Sequence, residues 1–230
     1  QDHNITMSTQ LFLRDYLSQM SITEEIEELT LQTIESTLTM IDSEKNREIA
    51  QSFDFLIKNK LSYHYSKNHL VTLLGIALIE KINGESKKLS KIFAQLSFFC
   101  DIFLKTQEQI QINSTEELNL HEFTPIERSH IHEHAIRAYN LVRDFENLEP
   151  EVLDLIKHHH GSSDGVGFPG QMPNNLPPLL NVFIVTDAFV KLWLNPRYSK
   201  NSKDLLKVIS INYSEASFQP IIAALKSLII

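Results

Sequence analysis

Residues that break regular structure are concentrated in one short stretch of this chain. Of its 6 glycines and 8 prolines, Gly161, Gly165, Gly167, Gly170, Pro169, Pro173, Pro177 and Pro178 all fall between residues 161 and 178. The remaining sequence must be mostly regular, and its apolar residues recur at a spacing near 3.6, the period of an amphipathic helix. Leu11, Phe12, Tyr16 and Leu17 predict a first helix, with Ser21 or Thr23 capping a second that has Glu24 and Glu25 in its first turn. Phe53, Leu56 and Ile57 form one face of another helix, and Leu70, Leu73, Leu74, Ile76 and Ala77 one face of the next. Lys91 to Leu104 predicts a buried helix, and the polar stretch Thr106 to Asn119 a loop or short turn. Helical patterns resume at Pro125 to Val142 and Glu149 to His160, where Pro150 suits a first helical position. Val182-Phe183-Ile184-Val185 has strand propensity, but its continuation to Leu192 favours helix. Asp204 to Ile209 and Pro220 to Ile230 end an all-α chain.

Composition narrows the function classes. An apolar content of 42% supports a real core. The longest nearly apolar run, Leu70 to Ile79, falls far short of the roughly 20 residues that cross a bilayer. A single cysteine makes no internal disulfide, and the start lacks the pattern of a secretory signal, so a reducing cytoplasmic location is expected. The formal charge of −8 argues against duplex nucleic acid as a partner, while a small anionic ligand stays open wherever bound cations supply the local charge.

The breaker-rich stretch opens with His158-His159-His160 and continues Gly161-Ser162-Ser163-Asp164-Gly165-Val166-Gly167-Phe168-Pro169. Neutral imidazole is the commonest protein metal ligand, and three histidines closing an apolar helix (Val152, Leu153, Leu155, Ile156) bring several such nitrogens together. The alternative is a solvated polar helix end; an affinity tag does not fit an internal run. Other ligand candidates are dispersed. His69 opens an apolar helix, and Cys100-Asp101 and Asp187 sit in apolar company that forces a buried carboxylate to find a partner. Cys100 reads either as a small buried hydrophobe or as a thiolate ligand. Thr124 and Glu127 make a capping box ahead of His130 and His134, which share a helix face.

Taken together, these segments resemble the HD-GYP family, helical metal-dependent phosphodiesterases that act on the bacterial messenger cyclic di-GMP. The likeness spans roughly residues 60 to 225 and is most specific at His159-His160 with Asp164-Gly165-Val166-Gly167-Phe168-Pro169. Thr124, Glu127 and His134 come next, then Asp187 preceded by Leu176-Pro177-Pro178-Leu179, with His69 a looser match. The resemblance implies an HD-superfamily helical bundle over residues 61–230, with a metal site in its core, preceded by an N-terminal helical segment over 1–60. It implies two divalent metal ions, iron or manganese first and zinc next, bound by His69, Cys100, Asp101, His134, His159, His160 and Asp187. In the family's arrangement Asp101 bridges both ions. His69, Cys100 and Asp187 complete one site, and His134, His159 and His160 the other.

The same resemblance places Asp101, Asp164 and Lys105 among the catalytic residues, and Gly165, Gly167, Phe168 and Pro169 in a loop facing a cyclic dinucleotide. Asp164 would orient a histidine or shape the loop, and Lys105 is the only lysine near the family's lysine position. Departures bear on activity: Cys100 replaces the family's histidine, Phe103 its glycine, Leu104 its lysine, Gly161 a glutamate and Phe168 the signature tyrosine. Two expectations follow. One is a weak phosphodiesterase hydrolysing cyclic di-GMP. The other is an inactive signalling module that binds metal and either the nucleotide or a protein partner, with the N-terminal helices available for homodimerisation.

Overall fold

The computed structural model describes residues 2–17, 19, 23–44, 51, 55–56, 58–59, 61–170, 172–173, 175–198 and 201–229. Among the described residues every regular element is helical. The helices are α1 (Asp2–Leu17), α2 (Glu24–Glu44), α3 (Tyr63–Asn83), α4 (Lys87–Phe99), α5 (Gln107–Ile110), α6 (Thr115–Leu120), α7 (Pro125–Val142), α8 (Pro150–Lys157), α9 (Pro178–Leu194), α10 (Ser202–Asn212) and α11 (Gln219–Ile229). None is long and apolar enough to cross a membrane.

The bundle is organised around α3, which is buried on nearly every side, as expected of a helix that is apolar all round. It packs most extensively on α9, then on α4, α11, α1 and α2. Its two ends are fixed by local chemistry: the Ser62 hydroxyl accepts from Tyr65 N at the start, and Gly84 at φ 83° closes the end. Lys67, Val71, Leu74 and Leu78 recur at i, i+4, i+7 and i+11 and form one fully enclosed stripe. On another face, Leu73 and Ile76 meet Ile41 of α2. The core runs across residue 60, because Leu13, Leu17, Ile34 and Leu56 share one buried cluster with α3, α4, α8 and α9. The apolar faces of the N-terminal helices thus meet α3 and α4 of the same chain.

Gly75 marks the closest approach of α3 to α4. A Cβ there would lie 2.0 Å from Phe93 Cε1, and Phe93 is itself fully buried against Phe183. Gly75→Ala is expected to lower stability by about 1–3 kcal/mol, the usual penalty of overpacking a filled core. Urea unfolding checks this, and an unchanged midpoint would count against so tight a crossing.

Several local expectations need correction. The α4 helix ends at Phe99, earlier than Leu104, because Ile102 N bonds Phe99 O and Leu104 N bonds Asp101 O, closing two successive turns. The polar 106–119 stretch holds α5 and α6, capped by Thr106 and Ser114 and anchored by buried Ile110, Ile112 and Leu118. The α8 helix stops at Lys157, so the three histidines lie in a turn beyond it. Thr23 caps α2 through its hydroxyl, which accepts from Ile26 N at 3.4 Å; Ser21, Phe53, Ile57 and Ile230 lie outside the described residues.

Candidate metal centre

Asp101, His134, His159 and His160 come together in the bundle core, with one potential ligand atom from each lying within 4.8 Å of the others. Each arrives for a local reason. Asp101 sits in the turn that ends α4. His134 lies one face inward on α7, whose start is fixed by the capping box: Glu127 N donates to Thr124 Oγ1 at 3.3 Å and Thr124 N to Glu127 Oε2 at 2.9 Å. His159 and His160 occupy the turn after α8, which Gly161 continues at φ 84°. Asp101, His134 and His159 are buried, and His160 retains partial exposure.

The hydrogen bonds around the imidazoles fix their chemistry. His134 Nδ1 donates to the Ile131 carbonyl, and His159 Nδ1 donates to the Ile156 carbonyl at 2.7 Å. A neutral ring whose Nδ1 carries the proton presents a bare lone pair at Nε2. His134 Nε2 lies 3.0 Å from His159 Nε2 and 3.1 Å from His160 Nε2, so three ring nitrogens converge on one point. Asp101 Oδ1 faces the same point, 3.7 Å from both His134 Nε2 and His159 Nε2, and is buried with no hydrogen-bond partner. Burial, then the neighbouring His159, lowers the His134 pKa to about 3, and burial likewise pushes His160 well down, so both are neutral near pH 7. Ligand atoms bound about 2.1 Å from one ion stand roughly 3–3.5 Å apart, close to the spacings here. The cluster could hold a metal ion, and carbonyl-anchored imidazoles are the usual way of presenting one.

A second group of charges adjoins it. Lys67 Nζ lies 2.7 Å from Asp101 Oδ2 and 2.6 Å from Asp187 Oδ1, and Lys191 Nζ lies 2.8 Å from Asp187 Oδ2. Burial opposes the Lys67 charge, but Asp101 and Asp187 outweigh it and hold the ammonium pKa well above its usual value. Burial would raise both carboxylates; Lys67 chiefly keeps Asp101 well below the usual range, and Lys191 then Lys67 keep Asp187 low. On the outer side, the Arg14 guanidinium of α1 donates to the Asp101 carbonyl at 3.1 Å.

Of the seven residues expected as ligands, four meet. His69 lies two residues beyond Lys67, about 200° around α3, and is directed to the N-terminal helices, with its ring beside Tyr65 and His3. Cys100 is fully buried; burial pushes its thiol pKa up, so it stays protonated, with Sγ 3.8 Å from Lys67 Nζ. Asp187 is taken up by the two lysines. Asp164 is exposed and shapes the loop: its Oδ1 accepts from Ser162 Oγ at 2.7 Å and Val166 N at 3.0 Å. Lys105 is exposed on the far side of the turn.

The loop is clipped to α7 by Gly167 N donating to His132 O at 2.7 Å and Ile136 N donating to Gly165 O at 3.2 Å. Gly165 has φ 81°, and a Cβ there would press on the Lys157 side chain and carbonyl. Phe168 stands edge-on to His160 with 4.7 Å between ring centres, and Pro169 follows it out of the loop. His158 bonds the Ser163 carbonyl, outside the cluster.

Sequence reasoning missed Lys67, Lys191 and Arg14. Lys191 was readable as the i+4 partner of Asp187. Lys67 carried a subtler signal, a lysine in register with the apolar stripe Val71, Leu74 and Leu78. Arg14 carried none. No protein-family model, characterised protein or solved structure matches this chain.

Proposed function

We propose that this protein is a metal-holding signalling module on an HD-GYP-like scaffold, engaging a cyclic dinucleotide or a protein partner without turning the nucleotide over. The observation that supports this reading best is the burial of three of the four residues. Asp101, His134 and His159 are only 4%, 2% and 3% exposed, and the Phe168 ring packs edge-on against the half-buried His160. A hydrolytic metal site keeps a coordination position open to water and substrate, whereas a closed set of four protein ligands suits a structural ion. The groups that would grip a phosphodiester are missing or turned away, since Leu104 is buried in a small apolar cluster and Phe168 has no hydroxyl. Bound in such a site, an ion contributes its binding free energy to folding and fixes the loop that follows His160.

A second reading, weak hydrolysis of cyclic di-GMP, is favoured by the carboxylate at the heart of the site. Iron or manganese prefers six ligands, so four protein atoms would leave two positions for water and a phosphoryl oxygen. In that case the ion would supply Lewis acidity and a water of lowered pKa. The chain's own part would be to hold His134 and His160 neutral and to orient Asp101 through Lys67.

Metal analysis of protein loaded separately with Mn²⁺, Fe²⁺ and Zn²⁺, beside a chromatographic assay of cyclic di-GMP, decides between the two. The expected result is bound metal with no linear dinucleotide product. Metal-dependent product would establish the second reading instead, and no uptake of any ion would overturn both.

A further inference from the structure

The two-ion arrangement implied by the resemblance requires a second cation between Asp101 and Asp187, completed by His69 and Cys100. The residues present do not fit it. His69 belongs to another face of α3, and Cys100 Sγ is directed to the Ser97 carbonyl at 3.7 Å and the Lys67 ammonium at 3.8 Å. The space between the two carboxylates is filled by the Lys67 ammonium, 2.7 Å from Asp101 Oδ2 and 2.6 Å from Asp187 Oδ1. We infer that Lys67 is a built-in second cation, so that the centre is mononuclear and Asp101 bridges one metal ion and one ammonium.

Three features of the geometry support this. First, the ammonium donates to Asp101 Oδ2 and, more weakly, to Cys100 Sγ at 3.8 Å, and it pairs by charge with Asp187 Oδ1 at 2.6 Å. The departure at Cys100 acquires a role in this arrangement, as a soft acceptor that completes the lysine's shell. Second, the charges balance without another ion. Lys67 and Lys191 face Asp101 and Asp187, two of each sign, and all four are buried. A divalent ion added to the same space would face two ammonium groups at close range. Third, the side chain cannot swing away, since Lys67 is 1% exposed, lies over the Phe183 ring at 5.8 Å and projects from the enclosed stripe of α3.

Division of the Asp101 carboxylate follows directly. Oδ2 is committed to Lys67, which turns Oδ1 toward the three imidazoles. Lys67 is therefore a positioning residue for the metal centre. An ammonium neutralises anionic charge as a metal does, but it neither offers vacant coordination positions nor binds a water for deprotonation. The centre keeps the electrostatics of a two-cation site and lacks its paired-metal chemistry.

The inference rests on the proposed metal site for its count of ions, though not for the place of Lys67. Purified protein spanning residues 1–230 and loaded with Mn²⁺ or Zn²⁺ is expected to hold one ion per chain by mass spectrometry of the metal. Lys67→His, which sets an imidazole beside the two carboxylates, is expected to raise that to two. In chelator, Lys67→Met should lower the thermal midpoint by roughly 10 °C, because two buried carboxylates lose their shared counter-charge. Added Mn²⁺ should then restore Lys67→Met by more degrees than it adds to the native chain. Lys67→Met combined with Asp187→Asn, which removes charge of both signs, should recover part of the loss and guards against a variant that fails to fold. Two ions in the native chain would overturn the inference, as would a Lys67→Met midpoint equal to the native one in chelator. A native chain that takes up no ion, with the Lys67→Met loss intact, would overturn the proposed metal site while upholding the ammonium's place.

Discussion

Asp101→Ala is expected to abolish metal uptake and to lower stability by about 3–5 kcal/mol even when no metal is present, the usual range for breaking a buried ion pair from one side. Both effects originate in the same carboxylate. Its Oδ1 is the carboxylate oxygen grouped with His134, His159 and His160, and its Oδ2 carries half of the Lys67 contact. Removing it leaves three converging imidazoles without a carboxylate and a buried ammonium sharing Asp187 with Lys191. Asp101→Asn keeps the volume and so separates charge from packing: it should retain most of the destabilisation. Urea unfolding in chelator and metal analysis check both variants. Unchanged metal content, or a loss below about 1 kcal/mol for Asp101→Ala, would remove Asp101 from the centre assigned to it.

A second large effect is expected from pH. In the unfolded chain His134 and His160 protonate near pH 6.5, whereas in the folded chain burial holds the His134 pKa at about 3 and drives His160 down as well. Between those values the unfolded state binds more protons. The stability these neutral rings confer is therefore complete above pH 6.5 and is lost as pH falls toward 3. Each such histidine contributes about 1.4 kcal/mol per pH unit in that window, so two of them give a steep slope. Asp101 and Asp187 also have lowered pKa values, but their contribution persists until the pH drops below the ordinary carboxylate range, near 3.8. The decline from pH 6.5 to 4.5 is thus a histidine effect. Metal ligation requires the neutral rings, so loaded protein should begin its decline at the same pH but from a higher stability, and reach its unfolding point at lower pH than the chelated form. Urea midpoints at four pH values, with metal and with chelator, test this; a flat profile between pH 7 and 4.5 would contradict the buried, neutral assignment.

The loop after His160 agrees with the proposed function. Phe168, which the resemblance would align with a tyrosine, packs its ring on His160. The loop that carries the most specific sequence motif has its backbone shape preserved by Gly165, Gly167 and the Asp164 turn, while its exposed chemistry is reduced. In the proposed signalling module such a loop would still have a use, because an ion held by His159 and His160 would couple directly to its conformation.

Much of this was written in the chain in local form. The Thr124 and Glu127 capping box, Pro150 at the start of α8, the glycine-rich turn after His160 and the helical periods all depend on neighbours within a few residues, so the sequence by itself determined an all-α chain with one irregular, histidine-bearing loop. It also placed Asp101, His134, His159 and His160 among seven candidate ligands, without separating them from His69, Cys100 and Asp187. Only the tertiary structure decided between Lys67 and His69. They lie two residues apart on one helix, and periodicity cannot say which face of a helix buried all round meets the carboxylates and which meets α1 and α2. That choice was made by the packing of α3 against α4 and α9, which brings Asp101 and Asp187 to Lys67 from sequence distances of 34 and 120 residues. Coulomb attraction between these buried groups then makes the ammonium stable where an isolated lysine would not be.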